Sequence, residues 1–518
     1  MAVLTCGPSA LRRREIGEPV DAGVAEGTMT VQLDERLLDD RLAALEAARP
    51  WSPRVVSKLE SHIRGSDDRG VFRINPLTFA AEKAIPESEA IELFLHATAL
   101  GLFEMNWLLL CPLCSGVVES FHALKGVHNH YYCNVCAAEF EARLDEFIAI
   151  MFTVNPTIRD TRFHHPERLS PHDYFLEFCA STEGRVADGT PFVRIQEAVA
   201  RDAFFLDPGE SRQVPIVADD GLIFAVSHDA TPDVIYVVEG EPSGKPRICE
   251  VVFRTGPHER VTGSTPPGET TVSIRNMSDR RGVFALAVLP KEFLDGPPAL
   301  HFAPFLSGKR LMTTQTFREL FRSEIIRASE GIGVTDITLL FTDLKGSTAL
   351  YDRIGDLNAF SLVQLHFDRL QAVSARHNGA IIKTIGDAVM AAFMTPADAV
   401  RAALEMRSEI EDFNRGQPNK ELVLKIGIHN GAAIAVTLND RLDYFGQTVN
   451  IAARVQGLAD AGEIYLSGDV FGSPDVEAVL AGSTMEPRVV SLKGVHGDLC
   501  VHRVEPARNA SGASAAAN

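Results

Sequence analysis

The chain has 518 residues and a formal net charge of −19. Its length exceeds what one hydrophobic core normally organises, so we expect two to four domains. The acidic balance argues against a nucleic-acid or anionic-membrane binder along the whole chain. Four of the eight cysteines lie in two Cys-x-x-Cys pairs and the rest are scattered, which indicates a reducing, cytoplasmic setting. We recognise no transmembrane segment.

The N-terminal part is predicted to be helical. Residues 1–34 are predicted to be disordered, with Met1 and Met29 as alternative starts. Residues 35–110 show helical periodicity, with two helices separated at Pro86. A short helix followed by a longer one is compatible with a winged-helix-like module, although a small helical bundle is favoured.

Residues 111–140 contain a cysteine pattern with metal-ligand spacing. The pattern is C-x2-C-x18-C-x2-C, formed by Cys111, Cys114, Cys133 and Cys136. Two thiolate pairs on two turns can close a tetrahedral site, so we predict a zinc ribbon with one structural Zn²⁺. The alternative is two redox-active or incidental pairs.

Residues 141–305 change character. Short runs rich in β-branched residues alternate with Pro, Gly and Asp clusters, which predicts an antiparallel β-sandwich. Residues 306–333 follow with apolar residues at helical spacing. We predict a linker helix there that could pair with its copy in a dimer.

Residues 334–506 show the order β, α, β, β, α, β, and the tail 507–518 is low-complexity and predicted to be disordered. The fold class is therefore multidomain α+β with a C-terminal ferredoxin-like domain. The stretch "AIIKTIGDAVMAAF" reads as a hairpin around Gly386, and the next helix begins with Thr395 as cap and Pro396 at its first position.

Two aspartates occur at the ends of apolar strands in this domain. Asp343 ends "ITLLFTDL", and Asp387 lies at the hairpin tip. Carboxylates on adjacent strands can share a pair of Mg²⁺ ions, and the amides of Leu344, Lys345 and Gly346, before a helix, could bind phosphate. Taken singly, each aspartate is better explained by simple strand-end capping, because an aspartate in a turn after a strand is common.

A third polar set lies in "DYFGQTVNIAAR". Asn450 and Arg454 are four residues apart and share a helix face, and Asp443 precedes them across Gly446. An amide beside a guanidinium suits a ribose and a charged phosphoryl group. An exposed polar helix face and a turn aspartate are the alternative readings.

Together, "FTDLKGST", "KTIGDAVMAAF", "DYFGQTVNIAAR" and a late "LKG" resemble the catalytic domain of class III nucleotidyl cyclases over about residues 335–505. The resemblance implies that Asp343 and Asp387 bind two Mg²⁺ or Mn²⁺ ions. It also implies the following roles for five further residues: base recognition by Lys383 and Asp443, ribose orientation by Asn450, charge stabilisation by Arg454 and triphosphate contact by Lys493.

Lys383 as a donor to adenine N1 and Asp443 as an acceptor from the 6-amino group imply ATP as substrate, since guanine presents the reverse pattern. In this family the metal-binding aspartates come from one subunit, and the positions of Lys383, Asp443, Asn450 and Arg454 come from the other. The resemblance therefore implies a homodimer with two equivalent sites.

The N-terminal half resembles a region found before some bacterial cyclase domains and implies regulation by an unidentified ligand or partner. The function predicted is a soluble adenylate cyclase. Two alternatives stay open: a guanylate cyclase, and a binding protein that uses the cyclase fold only to bind nucleotide or to dimerise.

Overall fold

The computed structural model describes residues 32–242, 244–295, 298–327, 330–415, 422–495 and 497–505. Residues 1–31 and 506–518 lie outside the described residues, and with them lie most of the predicted disordered N-terminus, both candidate starts and the predicted disordered tail. No helix within the described ranges is long and apolar enough to cross a membrane.

The first region is helical up to residue 99. Asp34 accepts a hydrogen bond from the Leu37 amide at the first helix, and Asn75 does the same for Leu77 at the third, where Pro76 takes the first position. The helices are α1 (Glu35–Ala48), α2 (Val55–Gly65), α3 (Pro76–Lys83) and α4 (Glu87–Ala99). The break between α3 and α4 lies where it was predicted.

Residues 103–154 form a small antiparallel sheet and a hairpin. The strands are β2 (Phe103–Leu110), β3 (Val117–Phe121), β4 (His130–Cys133), β5 (Ala138–Glu141) and β6 (Ile148–Val154), preceded by β1 (Gln32–Leu33), which pairs with β7 (Arg159–Asp160). The sheet order is β3-β2-β6, and β4 pairs with β5. The predicted helical span 35–110 is wrong at its end, because 103–110 is a buried strand that resembles a buried helix in apolar content.

Two packed sheets follow, and they begin later than predicted. Residues 155–199 hold mainly turns and short helices, namely α5 (Pro171–Tyr174) and α6 (Phe192–Val199), together with β8 (Gly184–Arg185). The strands are β9 (Ala200–Leu206), β10 (Ser211–Ala218), β11 (Gly221–Val226), β12 (Thr231–Pro232), β13 (Val234–Val238), β14 (Arg247–Arg254), β15 (Val261–Thr265), β16 (Gly268–Asn276) and β17 (Gly282–Leu289), and β18 (His301–Phe302) pairs with β8.

The sheet orders are β10-β16-β14-β12 and β15-β13-β11-β17-β9. The pairs β13–β15 and β14–β16 are parallel, so the wholly antiparallel prediction is wrong. Alternation of apolar and polar residues identifies a strand but carries no information about the direction of its neighbour.

The predicted linker helix over 306–333 is also wrong. Two short helices, α7 (Gly308–Met312) and α8 (Gln315–Leu320), are separated at Thr313 and Thr314. Both threonine hydroxyls donate to the Arg310 carbonyl, a local bond of the kind that competes with helix continuation. Phe317 is fully buried, so the helical spacing reflects packing within the chain.

The C-terminal domain has one large sheet. Its elements are β19 (Ile332–Leu344), α9 (Ser347–Ile354), α10 (Asp356–Arg376), β20 (Gly379–Ile385), β21 (Ala388–Phe393), α11 (Pro396–Arg415), β22 (Leu424–Leu438), β23 (Arg441–Phe445), α12 (Gln447–Gln456), β24 (Ile464–Ser467), α13 (Gly468–Phe471), α14 (Val476–Val479), β25 (Thr484–Ser491) and β26 (Asp498–Glu505). The sheet order is β20-β21-β19-β22-β24-β26-β25, and β23 pairs with β22.

The predicted element order from β19 to β22 is confirmed, as is the hairpin, where Gly386 has φ +64°. Thr395 Oγ1 accepts from the Asp398 amide at 3.1 Å, as expected of a cap. Gly379 does not cap α10, which ends at Arg376. It begins β20, where a Cβ would meet the Phe393 ring at 2.3 Å, so its role is close packing.

The apolar cores do not follow the predicted domain limits. One continuous cluster runs from α1 through α8 to Ile332, Tyr444 and Ala452 of the C-terminal domain, while a second lies on the other face of that domain's sheet and a third between the two sheets of the sandwich. The N-terminal region thus covers one face of the C-terminal sheet.

Candidate active site

The two predicted metal-binding aspartates lie at the same end of the C-terminal sheet. Asp343 is near the end of β19, and Asp387 is in the turn before β21, whose Val389 pairs with Thr342. Burial and the charges of Asp387 and Asp343 raise the pKa of Tyr351. The structure therefore brings the two carboxylates together.

Asp387 Oδ2 is buried and has no hydrogen-bond partner among the described residues. A buried carboxylate oxygen without a partner is costly unless a cation or a donor reaches it. Oxygen donors of this kind are the ligands that Mg²⁺ and Mn²⁺ prefer. The donor set therefore fits divalent cations.

Sequence reasoning missed Lys425. This residue pairs in register with Asp343 across β19 and β22, and its Nζ lies 2.5 Å from Asp343 Oδ2. A lone lysine in the apolar strand "LVLKIGIHNG" carries no local sign of this role, because the contact depends on strand pairing. A cation bound at Asp343 would have to displace the Lys425 ammonium group or share the Asp343 carboxylate with it.

The predicted phosphate loop lies between β19 and α9. Gly346 has φ +71° and precedes α9, a conformation that glycine adopts without strain. The Lys345 amide, however, donates to the Val423 carbonyl at 2.9 Å, and the Lys345 side chain pairs with Asp460. In this conformation the Lys345 amide is not available to a phosphate, so that part of the prediction is wrong.

Lys383 and Asp443 form a close ion pair. Their Nζ and Oδ2 atoms are 2.5 Å apart, with the Asp443 side chain 8% exposed and the Lys383 side chain 34% exposed. Asp443 Oδ1 also accepts from the Tyr444 amide at 2.8 Å. A cationic donor and an anionic acceptor are therefore held side by side on β20 and β23.

A bulge in β20 explains how a lysine fits into an apolar strand. Ile381 pairs with Ala391 and Lys383 with Met390, so Ile382 is an extra residue. Ile382 is buried in the core shared with the N-terminal region, and Lys383 turns instead to Asp443. Bulges commonly re-aim a side chain in this way next to functional sites.

Asn450 and Arg454 lie on α12, with Asn450 exposed and Arg454 partly exposed. A Cβ on Gly494 would lie 3.5 Å from the Arg454 guanidinium, so the loop that carries the exposed Lys493 passes beside Arg454. The structure therefore places the loop that carries Lys493 beside α12.

The four predicted zinc ligands converge elsewhere in the chain. Their Sγ atoms all lie within 4.8 Å of one another, and the pairs Cys111–Cys136 and Cys114–Cys133 are both 3.7 Å apart. A tetrahedral site with Zn–S bonds of about 2.3 Å has S···S edges of about 3.8 Å. The sulfur positions thus fit a zinc ion.

The thiols also interact electrostatically. Hydrogen bonds from the other three cysteines lower the pKa of Cys111, whereas the bonds to Cys111 raise the pKa values of Cys114 and Cys136. A divalent ion would allow all four to ionise.

Comparison with known protein families shows to which family the chain belongs. Residues 38–319, more than half of the chain, match the model of the Family of unknown function (DUF5939). The chain belongs to the DUF5939 family. Residues 332–493 of this DUF5939 chain match the Adenylate and Guanylate cyclase catalytic domain, so it carries a class III cyclase catalytic domain C-terminal to the DUF5939 region.

Relatives of the DUF5939 chain include both kinds of cyclase. Adenylate cyclase 1 of Rhizobium meliloti is 33% identical over 137 residues, which cover 24% of this chain and 21% of that protein. The adenylate cyclase of Lachancea kluyveri is 30% identical over 154 residues, covering 26% and 8%. The receptor-type guanylate cyclase gcy-13 of Caenorhabditis elegans is 26% identical over 147 residues, covering 26% and 14%. The DUF5939 chain thus spans less than a quarter of the length of each of these relatives.

Among solved structures, the adenylyl cyclase CyaB from P. aeruginosa is 21% identical to the DUF5939 chain, with a TM-score of 0.30. That match covers 35% of this chain and 98% of the other.

Proposed function

We propose that the chain is an adenylate cyclase that converts ATP to 3′,5′-cyclic AMP and pyrophosphate. The observation that carries the proposal is the Lys383–Asp443 pair, which presents one donor and one acceptor side by side. Lys383 would donate to adenine N1, and Asp443 would accept from the 6-amino group. Guanine presents the opposite pattern at these positions, so the pair favours ATP.

In the proposed reaction the ribose 3′-oxygen attacks the α-phosphorus, the bond from that phosphorus to the pyrophosphate oxygen breaks, and the 3′-hydroxyl proton is released to solvent water. Asp343 and Asp387 would hold two Mg²⁺ or Mn²⁺ ions, which when bound supply positive charge to the triphosphate and acidify the hydroxyl. Asn450 would orient the ribose. Arg454 would stabilise the charge that builds on the phosphorane oxygens, and Lys493 would contact the triphosphate.

We propose a homodimer with two shared sites. Large apolar side chains are exposed around the base-reading pair: Ile385 is 53% exposed at the hairpin, and Phe445 is 62% exposed beside Asp443. Ile434, which pairs with Phe445 in register, is 42% exposed. Such a patch supports an interface between copies, since exposed contiguous apolar surface marks association sites.

We propose that the N-terminal half regulates catalysis through α8 and the segment after it. Arg318 donates to the Leu442 carbonyl, adjacent to Asp443, and the Ile326 amide donates to Thr437 Oγ1 at 2.8 Å. The Ile381 amide donates to Gln315 Oε1 at 2.9 Å. Movement of this segment would therefore shift both strands that hold the base-reading pair.

The four cysteines are proposed to hold one structural Zn²⁺. All of them are protein ligands, which leaves no open coordination position for chemistry at the ion.

The deciding experiment is a turnover assay of the full chain with Mn²⁺ or Mg²⁺ and either ATP or GTP, with products separated by chromatography. We expect cyclic AMP, and loss of it in Asp387→Asn but not in Asp352→Asn, which alters an exposed carboxylate on α9. Faster GTP turnover would make the chain a guanylate cyclase. No cyclic nucleotide with either metal would contradict the proposal.

Lys383→Glu tests the base-reading role separately. The variant removes the donor and places a second negative charge against Asp443, so we expect kcat/KM for ATP to fall by about tenfold or more. The same measurement with GTP is the internal control. An unchanged ratio of the two kcat/KM values would contradict the role.

A further inference from the structure

A cavity of about 440 Å³ lies outside the cyclase domain, on the outer face of the sheet β15-β13-β11-β17-β9. Its volume is within the range of about 300–1,000 Å³ that small-molecule sites occupy. Its other sides are enclosed by the two turns that carry Cys114 and Cys136, by α6 and by Phe175. Nothing in the proposed cyclase reaction uses this space.

The two sheets of the sandwich differ on their outer faces. The sheet β10-β16-β14-β12 presents mainly polar residues to solvent, such as Gln213, Glu250 and Arg275. At equivalent outward positions, the sheet that borders the cavity carries Leu222, Phe224, Val226, Ile235 and Val237. A sandwich needs apolar residues only on its inner faces, so this second apolar face requires its own explanation.

Small side chains create the space. Ala200, Ala203, Ala285 and Ala287 all line the cavity. Larger residues at these strand positions would allow α6 and the sheet to close on one another, as in an ordinary packed core. The combination of apolar walls and small residues is typical of a cavity that receives an apolar ligand.

One permanent cation lines the cavity, and no aspartate or glutamate does among the described residues. Arg260 Nη1 donates to the Val135 carbonyl at 2.9 Å, and its guanidinium lies 5.7 Å from the Phe224 ring centroid. No carboxylate of the described chain forms a salt bridge with Arg260. The guanidinium therefore keeps donors for a planar anion, which it binds in two-point fashion.

We propose that this cavity binds an amphiphilic monocarboxylate, such as a medium-chain fatty acid, with its chain along Phe224 and Ile235 and its carboxylate on Arg260. A polyphosphate or a nucleotide would need more cations and polar donors than the lining provides. A neutral hydrocarbon would leave the guanidinium without an anionic partner.

The test is calorimetric titration of the zinc-loaded full chain with decanoate, with decanol and with inorganic phosphate. We expect saturable binding of one decanoate per chain, binding of decanol at least tenfold weaker, and no binding of phosphate. Equal binding of decanoate and decanol would overturn the carboxylate assignment, and absence of saturable decanoate binding would overturn the site.

Variants locate the site. Arg260→Gln should weaken decanoate binding at least tenfold, while Arg275→Gln, on the outer face of the other sheet, should leave it unchanged. Ala287→Trp should abolish binding by filling the cavity. If that variant does not fold, Ala203→Leu provides a smaller obstruction. Wild-type affinity in a folded Arg260→Gln and in a folded cavity-filling variant would overturn the proposal.

Discussion

The cysteine cluster and the candidate nucleotide site are each assembled from separated motifs, but they differ in completeness. The cluster brings four sulfur atoms within 4.8 Å of one another in one chain. The nucleotide-site residues instead form two ion pairs, Asp343 with Lys425 and Lys383 with Asp443, in which each charge is met by a neighbour in the same chain. A small ion can be enclosed by two turns. A large charged substrate can bind only if charged side chains leave their partners within the chain and pair with the substrate instead.

The first way to sharpen this comparison is to break the cluster. Structural zinc sites contribute about 10–16 kcal/mol of apparent binding free energy to folding, so Cys133→Ser should unfold the region around β4 and β5 and abolish zinc retention. Native mass spectrometry should show one zinc per wild-type chain and none per variant. Cys500→Ser, an exposed thiol outside the cluster, is the control. Zinc-free wild-type protein with an unchanged melting temperature would contradict the prediction.

The second way is to divide the nucleotide site between chains. Asp343→Asn and Arg454→Ala should each reduce cyclisation on the order of 100- to 1,000-fold. In an equal mixture refolded or co-expressed together, activity should return to about a quarter of wild type, because about half of the dimers are mixed and each holds one intact site. No recovery in a mixture shown to contain mixed dimers would mean that each site is built within one chain.

The third way measures how the stability of the catalytic domain depends on pH. His366 is fully buried in the catalytic domain, neither ring nitrogen has a hydrogen-bond partner among the described residues, and burial lowers its pKa to about 4. In the unfolded chain the imidazole of His366 takes up a proton near pH 6.5. Its contribution to the free energy of unfolding is therefore fully present above that pH and is lost as the pH falls towards 4.

The contribution of His366 amounts to roughly 3 kcal/mol across this pH window. His366→Leu should remove it, so the stability difference between variant and wild type should grow by that amount in urea unfolding followed from pH 7 to 4. A constant difference across this range would contradict the prediction. Acid loss that persists in His366→Leu would come from other titrating groups, such as the carboxylates of Asp160 and Glu405, whose pKa values are lowered by their partners.

The smallest effect expected is at the contact between α8 and the strand β23 of the catalytic domain. Burial lowers the pKa of Arg318, which nevertheless donates to the Leu442 carbonyl beside Asp443. Arg318→Ala should reduce kcat/KM for ATP about tenfold, the value of one hydrogen bond to a charged group. Arg322→Ala, exposed in the same segment, should leave it unchanged. Equal effects of the two variants would remove Arg318 from the regulatory contact.

Local patterns in the sequence predicted the local structure well. The hairpin at Gly386, the cap at Thr395 and the spacing of the four cysteines each depend on residues near one another in the chain, and the structure confirms the hairpin, the cap and the convergence of the four sulfurs. The pairing of Lys425 with Asp343 was missed because it depends on strand register across some eighty residues, which a single sequence does not encode visibly.

The linker was mispredicted for a related reason. Apolar residues at 317, 320, 321 and 326 have helical spacing, and periodicity alone cannot distinguish a helix that pairs with its copy from short segments buried by distant parts of the same chain. The hydroxyls of Thr313 and Thr314 bond to the Arg310 carbonyl where the helix is interrupted. The C-terminal sheet buries the apolar residues that follow, including Phe317 and Ile326.

The apolar cluster that runs from α1 to α12 has a practical consequence for dissecting the protein. A fragment starting at residue 335 would lose the first residues of β19 and uncover Ile337, Leu442 and Tyr444, which the N-terminal region now shields. Such a fragment would expose apolar surface and would also lose the proposed regulatory region, so its activity would reflect aggregation and any loss of regulation together. Point changes at the interface, with both halves kept in place, separate these two effects.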